Sequence, residues 1–287
     1  MGSSFPRTNV GGLSVSRLII GTNWFLGWSH TSKAKDNYIK SSFAERTKIA
    51  DVLEVFLRAG VNTMMGQLNT PLTRDAIKDA QDRTGVEVIR VSTPLLPITP
   101  QVAEKGFDLG EVAKILDDHA AYGANILMPH QATTDSVLDR CTRQIRHMAP
   151  VCRMIRERGM IPGLSTHMPE TIVYADESQL DVETYISIYN SAGFLMQVEV
   201  DWTARVIAAA AKPVMTIKPL AAGRLPPFQG LNLVWNTIRP QAMVTVGTLG
   251  PGEAAECVEL SLSILERRSA KVDLQETRSK ASVKIKS

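Results

Sequence analysis

Cysteine is scarce in this chain. Cys141, Cys152 and Cys257 are an odd number with no Cys-x-x-Cys pair, which excludes a disulfide framework and a cysteine-built zinc site and points to a reducing compartment. Long apolar runs are missing too. Stretches such as Val206 to Ala211 fall far short of the roughly 18 residues that cross a bilayer, so no membrane partner is expected. The opening Met-Gly-Ser-Ser-Phe-Pro has no apolar core of a secretory signal, and Pro6 stands where N-myristoylation would require Ser or Thr. A cytoplasmic location is the expectation.

An excess of one charge is equally absent. The 32 Lys+Arg and 29 Asp+Glu leave +3, and the 44% hydrophobic content is that of a folded chain long enough to bury a sizeable core. The small surplus is local. Residues 267–287 hold seven basic and two acidic side chains, so everything before them is slightly acidic and no nucleic-acid partner is implied. The chain divides into a body, 1–268, and a basic extension, 269–287. Alternation over 271–275 and 282–286 predicts that the extension packs on the body or on a second subunit of a homo-oligomer.

What is present is a repeating unit. Short apolar runs of strand length fall at 18–21, 63–65, 88–92, 126–128, 161–165, 196–200, 214–218 and 243–247. Amphipathic stretches of helix length lie between them, at 44–59, 71–83, 109–121, 136–158, 181–192, 201–211, 231–237 and 252–267. Thr70-Pro71 reads as a cap and first turn, and Gly60, Gly85, Gly123 and Gly159 as helix stops. Eight strand–helix units predict an α/β fold, a (β/α)8 TIM barrel with an N-terminal β-hairpin and a C-terminal extension. The Gly-x-Gly-x-x-Gly turn of a doubly wound nucleotide fold is lacking after the first strand, where the sequence reads Gly21-Thr-Asn-Trp.

In such a barrel, chemistry sits at the C-terminal strand ends. Those ends offer Thr22 and Asn23, Gly66 and Gln67, Thr93, His130, Ser165 and His167, Glu199 and Asp201, Lys218, and Gly247 and Thr248. Two imidazoles and a carboxylate on adjacent strands suit a divalent ion such as Zn, Mn, Fe or Co with positions open for substrate. The expected ligands are His130, His167 and Glu199, with His30 from the first loop as a fourth. The competing reading is that the histidines only hydrogen-bond substrate or backbone. Lys218, ending an apolar strand, is placed where desolvation favours the neutral amine for base, Schiff-base or electrostatic roles, or else pairs with Glu199. The long first loop, 23–42, carries Trp24, Trp28 and Tyr38 among polar residues and reads as a lid over a polyhydroxylated ligand.

The order of motifs resembles the aldo-keto reductase superfamily from about residue 8 to 265. Carrying it are Gly-Gly-Leu-Ser-Val-Ser-Arg-Leu-Ile-Ile-Gly-Thr (11–22), Ala-Gly-Val-Asn-Thr (59–63) and Gly-Leu-Ser-Thr-His-Met-Pro-Glu (163–170). Gln-Val-Glu-Val (197–200), Lys-Pro-Leu-Ala-Ala-Gly-Arg-Leu (218–225) and Val-Gly-Thr-Leu-Gly-Pro-Gly-Glu-Ala-Ala-Glu (246–256) complete it. The resemblance implies the barrel and an Asp, Tyr, Lys, His tetrad with a nicotinamide cofactor. Those four positions fall on Met65, near Thr70, near Thr93 or Pro94, and on His130, so only the histidine is kept. Where the family holds the adenosine 2′-phosphate, this chain reads Thr248-Leu-Gly-Pro-Gly-Glu253, with Cys257 in place of an Asn; Gln197 and the Gly223 region are kept.

The combined expectation is metal-assisted proton chemistry, that of a lyase, isomerase or epimerase, on a small sugar-like or hydroxy-carbonyl substrate. Lys218, His130 and Glu199 are its catalytic candidates, and Asn23, Trp24, His30, Gln67 and Asp201 its substrate-binding candidates. The first alternative is a divergent NADP-dependent reductase with His130 as acid and Tyr38 as the loop tyrosine; the second is a non-catalytic ligand- or partner-binding barrel.

Overall fold

The computed structural model describes residues 4–283. An antiparallel hairpin, Arg7–Val10 with Leu13–Ser16, precedes a parallel barrel. Its strands are β1 (Leu18–Gly21), β2 (Thr63–Gly66), β3 (Ile89–Ser92), β4 (Ile126–Leu127), β5 (Ile161–Pro162 continued by Leu164–Ser165), β6 (Tyr185–Ile188), β7 (Val214–Ile217) and β8 (Met243–Val246). The fifth strand makes the ring. Its first half pairs with β4, its second half with β6, and β8 pairs with β1. The changeover falls at Gly163, whose N–H donates to the Leu127 carbonyl while the chain edge passes close to the Thr184 carbonyl.

Period-two patterning sorts the side chains into two layers. Ile19, Met65, Val91, Ile126, Ile186, Met215 and Met243 fill the barrel interior, and Val10 and Val15 of the hairpin join that cluster and stopper its N-terminal end. The larger cluster lies between strands and helices, for example Ile20, Met64, Leu127, Leu164 and Val244 against Leu53, Phe56, Ile77, Leu116 and Val234. With the N-terminal end stoppered, the C-terminal mouth is open.

The helices used below are α1 (Lys33–Ser42), α2 (Arg46–Arg58), α3 (Pro71–Thr84), α4 (Leu109–Ala121), α5 (Gln131–Ser136), α6 (Met148–Glu157), α7 (Glu170–Glu177), α8 (Val200–Ala209), α9 (Pro227–Thr237) and α10 (Pro251–Leu265). Among the described residues no helix is long and apolar enough to cross a membrane.

Three expectations are corrected. The sixth strand is Tyr185–Ile188, not 196–200. Val182, Tyr185, Ile186 and Tyr189 fall at i, i+3, i+4 and i+7, a spacing that imitates one helix face, yet all four are buried because this strand is covered on both sides. The alternating 196–199 is instead a loop leading into α8, braced where Asn190 exchanges side-chain hydrogen bonds with Phe194. The predicted helix 136–158 is divided between α5 and α6 by the pair Leu138–Asp139 and Gln144–Ile145, because the Asp139 carboxylate takes the N–H groups of Cys141 and Thr142 and forces a turn. The extension is tied down only at its start. Ala270 and Val272 pack on the core and the Glu259 carboxylate accepts from Arg268 and Lys271 N–H, but Leu274 and its neighbours are exposed rather than strand-like. The alternation over 282–286 runs beyond the described residues.

Gly163 gives a test of the closure. A β-carbon there would lie 2.7 Å from the Thr184 carbonyl oxygen, a backbone atom that cannot swing aside. Gly163→Val is expected to cost about 2–4 kcal/mol in chemical denaturation, in the range of overpacked core substitutions with backbone shifts; an unchanged midpoint would contradict this account of ring closure.

Candidate active site

The open end of the barrel holds a cavity of about 1130 Å³ lined by the strand ends, the first loop and the turn after β7. Asn23, Trp24, His30, Gln67, His130, His167 and Lys218, all read from the sequence, line it. Glu199 and Asp201 do not. Glu199 precedes α8 and Asp201 occupies its first turn; both are exposed, because the strand they were assigned to lies about a dozen residues earlier. Gln197 is exposed in the same loop. The predicted ligand trio is therefore not assembled, and among the described residues no three His, Cys, Asp or Glu side chains are grouped to hold a metal ion. The donor set does not fit the divalent site the sequence suggested. Tyr38 also stays outside, its ring exposed and covered by the Lys35 ammonium 5.1 Å from the ring centre.

Lys218 follows the last residue of β7 with φ at +60°, a left-handed conformation that costs a non-glycine residue about 1 kcal/mol. The turn it opens repeats this at Ala221 and Ala222. That backbone carries the ammonium into the mouth, where Nζ lies 3.3 Å from His30 Nε2. Among the described residues no carboxylate pairs with it. Burial alone lowers the Lys218 amine to about 8.

Three imidazoles surround this amine. His130 ends the loop after β4 and caps α5, its Nδ1 accepting from Ala132 N–H at 3.2 Å. That contact fixes the tautomer: a neutral ring with Nδ1 occupied carries its proton on Nε2. His30, at left-handed φ +56°, lies 3.2 Å from Asn23 Nδ2 as well as next to Lys218. With both nitrogens donating, His30 Nε2 accepts and its proton is on Nδ1. His167 makes no side-chain hydrogen bond among the described residues; its backbone N–H is held by Asp135 Oδ2 at 3.1 Å while Asp135 Oδ1 accepts from the Thr166 hydroxyl at 2.5 Å. Desolvation first, then Lys218, lowers the pKa of His30 and His130. His167 goes furthest, down to about 4, by desolvation and then by Lys218, His130 and His30. All three rings are neutral at pH 7.

The first loop lines one side of the cavity. The Asp36 carboxylate accepts from both Ser29 N–H and the Ser29 hydroxyl, and Ser32 caps α1, so the helix returns the loop across the mouth. Trp24 lies on Gly247: a β-carbon there would sit 2.0 Å from its Cδ1. At Gly66, with φ +135°, a β-carbon would meet the Thr22 hydroxyl, so only glycine lets β1 and β2 end this close together. Thr22 and Thr248, both read from the sequence, line the wall, whereas the buried Thr245 beside them and the carboxylates Asp135 and Asp36 were not found from the sequence. Asp135 carried no signal, since its role depends on a contact across 31 residues of chain.

No protein-family model matches the chain, and no curated protein matches it in sequence. Solved structures do match in shape. A Pseudomonas aeruginosa protein assigned to the aldo-keto reductases superposes with TM-score 0.63 at 18% identity, covering 90% of this chain and 96% of its own. An aldose reductase of Giardia lamblia gives 0.52 at 11% over 93% and 90%. A fusion protein with a xylose isomerase-like TIM barrel gives 0.52 at 12% over 88% of this chain and 43% of that one. The fold is thus an aldo-keto-reductase-like TIM barrel. At these identities the likeness concerns the fold alone.

The unpaired ammonium has a stability signature. A lysine whose pKa is lower folded than unfolded destabilises the fold most where it must stay charged, below about 8, and not at all above its unfolded pKa. Lys218→Met is expected to raise thermal stability at pH 7 by about 1–2 kcal/mol, or a few degrees, with the gain fading toward pH 10; a lower melting temperature at pH 7 would show that the ammonium is compensated within the chain.

Proposed function

We propose that this chain is an enzyme that moves a proton at the carbon beside a carbonyl group, as a lyase, isomerase or epimerase does, on a small hydroxy-carbonyl or sugar-like substrate. The observation that carries this reading is the grouping of one amine and three neutral imidazoles at the barrel mouth, with different hydrogen-bonding states. The Lys218 ammonium and His130 Nε2–H are donors for the carbonyl oxygen and for the negative charge that gathers on it as the enediolate forms. His167, with no partner on its ring, accepts the carbon-bound proton, and the C–H electron pair passes into the new C=C bond. Return of that proton to the former carbonyl carbon, with the neighbouring hydroxyl proton passing to the former carbonyl oxygen, gives the isomer. Protonation of the original carbon by water from the opposite face, with His167 losing its proton to solvent, gives the epimer. Asn23 and His30 hold Lys218 in place from the lid side, and Trp24 and Gln67 bound the substrate. No step is routed through a metal, because Glu199 stands outside the site; stoichiometric metal in protein purified without chelator, lost in His130→Ala and His167→Ala, would restore the metal-assisted version.

A second reading, a divergent NADP-dependent reductase, draws on the reach of the cavity. It continues past Gly223 to Thr248, Glu253 and Glu256, where the resemblance places the nucleotide. That wall fits a 2′-phosphate poorly: it offers two carboxylates, and Glu253 is already held by Leu249 N–H. Micromolar quenching of NADPH fluorescence would favour it.

Exchange of deuterium from heavy water into a panel of hydroxy-carbonyl compounds is the direct assay. His167 must be neutral and Lys218 charged, so kcat/KM for the free enzyme is expected to fall below about pH 4 and above about pH 8. Activity that instead rises through pH 8 would make Lys218 the neutral base. His167→Ala and Lys218→Met are each expected to lower exchange by about 100-fold or more; full exchange in both would remove this reading.

A further inference from the structure

We infer that the substrate of this site brings its own negative charge, a carboxylate or phosphate oxyanion next to the reacting carbonyl, which docks on Lys218 at the centre of the imidazole cluster. The inference rests on the proton-transfer reading above and names its substrate class.

Charge at the mouth is out of balance. Four basic side chains converge at the mouth, and among the described residues none of the carboxylates that line or flank the cavity, Asp36, Asp135, Glu253 and Glu256, pairs with Lys218. Asp36 takes both Ser29 donors on the lid, Asp135 takes the Thr166 hydroxyl and the His167 N–H behind β5, and Glu253 takes Leu249 N–H at the far end of the cavity. Among the described residues the hydrogen-bond partner of the Lys218 ammonium is His30 Nε2, a neutral acceptor. A partly buried cation without a counter-ion is unfavourable in the empty protein, and the left-handed backbone that presents it adds to that cost. A neutral sugar or ketone would leave the charge unpaired. A carboxylate or phosphate would pair it, because the ammonium has three N–H donors and can serve the oxyanion as well as the carbonyl oxygen, which keeps the His130 Nε2–H.

Docking of the anion has a consequence for the chemistry. After desolvation, the charge on Lys218 is the next cause that keeps the His167 ring a poor base. An oxyanion on Lys218 cancels much of that field, so His167 gains basicity when the correct substrate is seated and is weak when the site is empty. A substrate lacking the anion would bind loosely and would also meet a weaker base.

The test uses the full chain with three small probes: oxalate, inorganic phosphate and the neutral dihydroxyacetone, each at the same millimolar concentration. Melting temperature and the NMR titration of the His167 ring are followed. The expected result is a rise of several degrees with at least one anion and none with dihydroxyacetone, together with an upward shift of the His167 titration midpoint. The effect is lost in Lys218→Met and partly kept in Lys218→Arg. A response to oxalate alone names a carboxylate as the source, and a response to phosphate alone names a phosphorylated substrate. The inference is overturned if neither anion changes the melting temperature, or if Lys218→Met and Lys218→Arg both respond as the unmodified chain does. Anion binding without hydrogen exchange on any carbonyl compound would remove the proton-transfer reading and leave the anion site. Exchange on neutral hydroxy-carbonyls without anion binding would do the reverse.

Discussion

Barrel closure at one end and an uncompensated ammonium at the other set the terms for the whole molecule. The hairpin residues Val10 and Val15 continue the interior cluster and seal the N-terminal end, and a cavity of about 1130 Å³ opens where the strands finish. There the backbone after β7 adopts a left-handed conformation and delivers Lys218 among three imidazoles with no acid to balance it. Cost is concentrated in one place: strained φ angles and a desolvated charge. Structures tolerate such cost when the surroundings over-determine it, and here the surroundings are a closed ring of parallel strands.

The neutral state of the imidazoles follows first from burial of the rings and then from that charge. Each ring is then specialised by its neighbours. The α5 N–H at Ala132 makes His130 a donor through Nε2, Asn23 and Lys218 make His30 an acceptor, and the Asp135 clamp fixes the His167 backbone while leaving its ring free. The contacts that set His130 and His167 lie outside the first loop, whereas His30 belongs to that loop and links it to Lys218 on the barrel.

Much of this was legible in the sequence, for a physical reason. Apolar strands that end in one polar residue mark the mouth of a barrel, and His130, Lys218, Asn23 and Gln67 were found that way. The sixth strand was not, because a strand buried on both faces has no obligatory alternation and Val182, Tyr185, Ile186 and Tyr189 happened to fall at helical spacing. That single slip moved Glu199 and Asp201 into the site on paper and created the carboxylate of a metal triad. Removing it changes the electrostatics from a ligand set to a cluster of bases. The fold resemblance survived the slip, since seven of the eight strand assignments overlapped the observed ones and the order of elements was right.

Burial of Lys218 in the mouth, with no carboxylate pairing it among the described residues, holds its amine below the ordinary lysine range. Carbon-13 labelling of the lysine ε-carbons, with Lys218→Arg to assign the signal, reads this directly in the free protein. The account predicts a midpoint near about 8. A Lys218 signal that titrates at the usual lysine value, about 10.4, would contradict it.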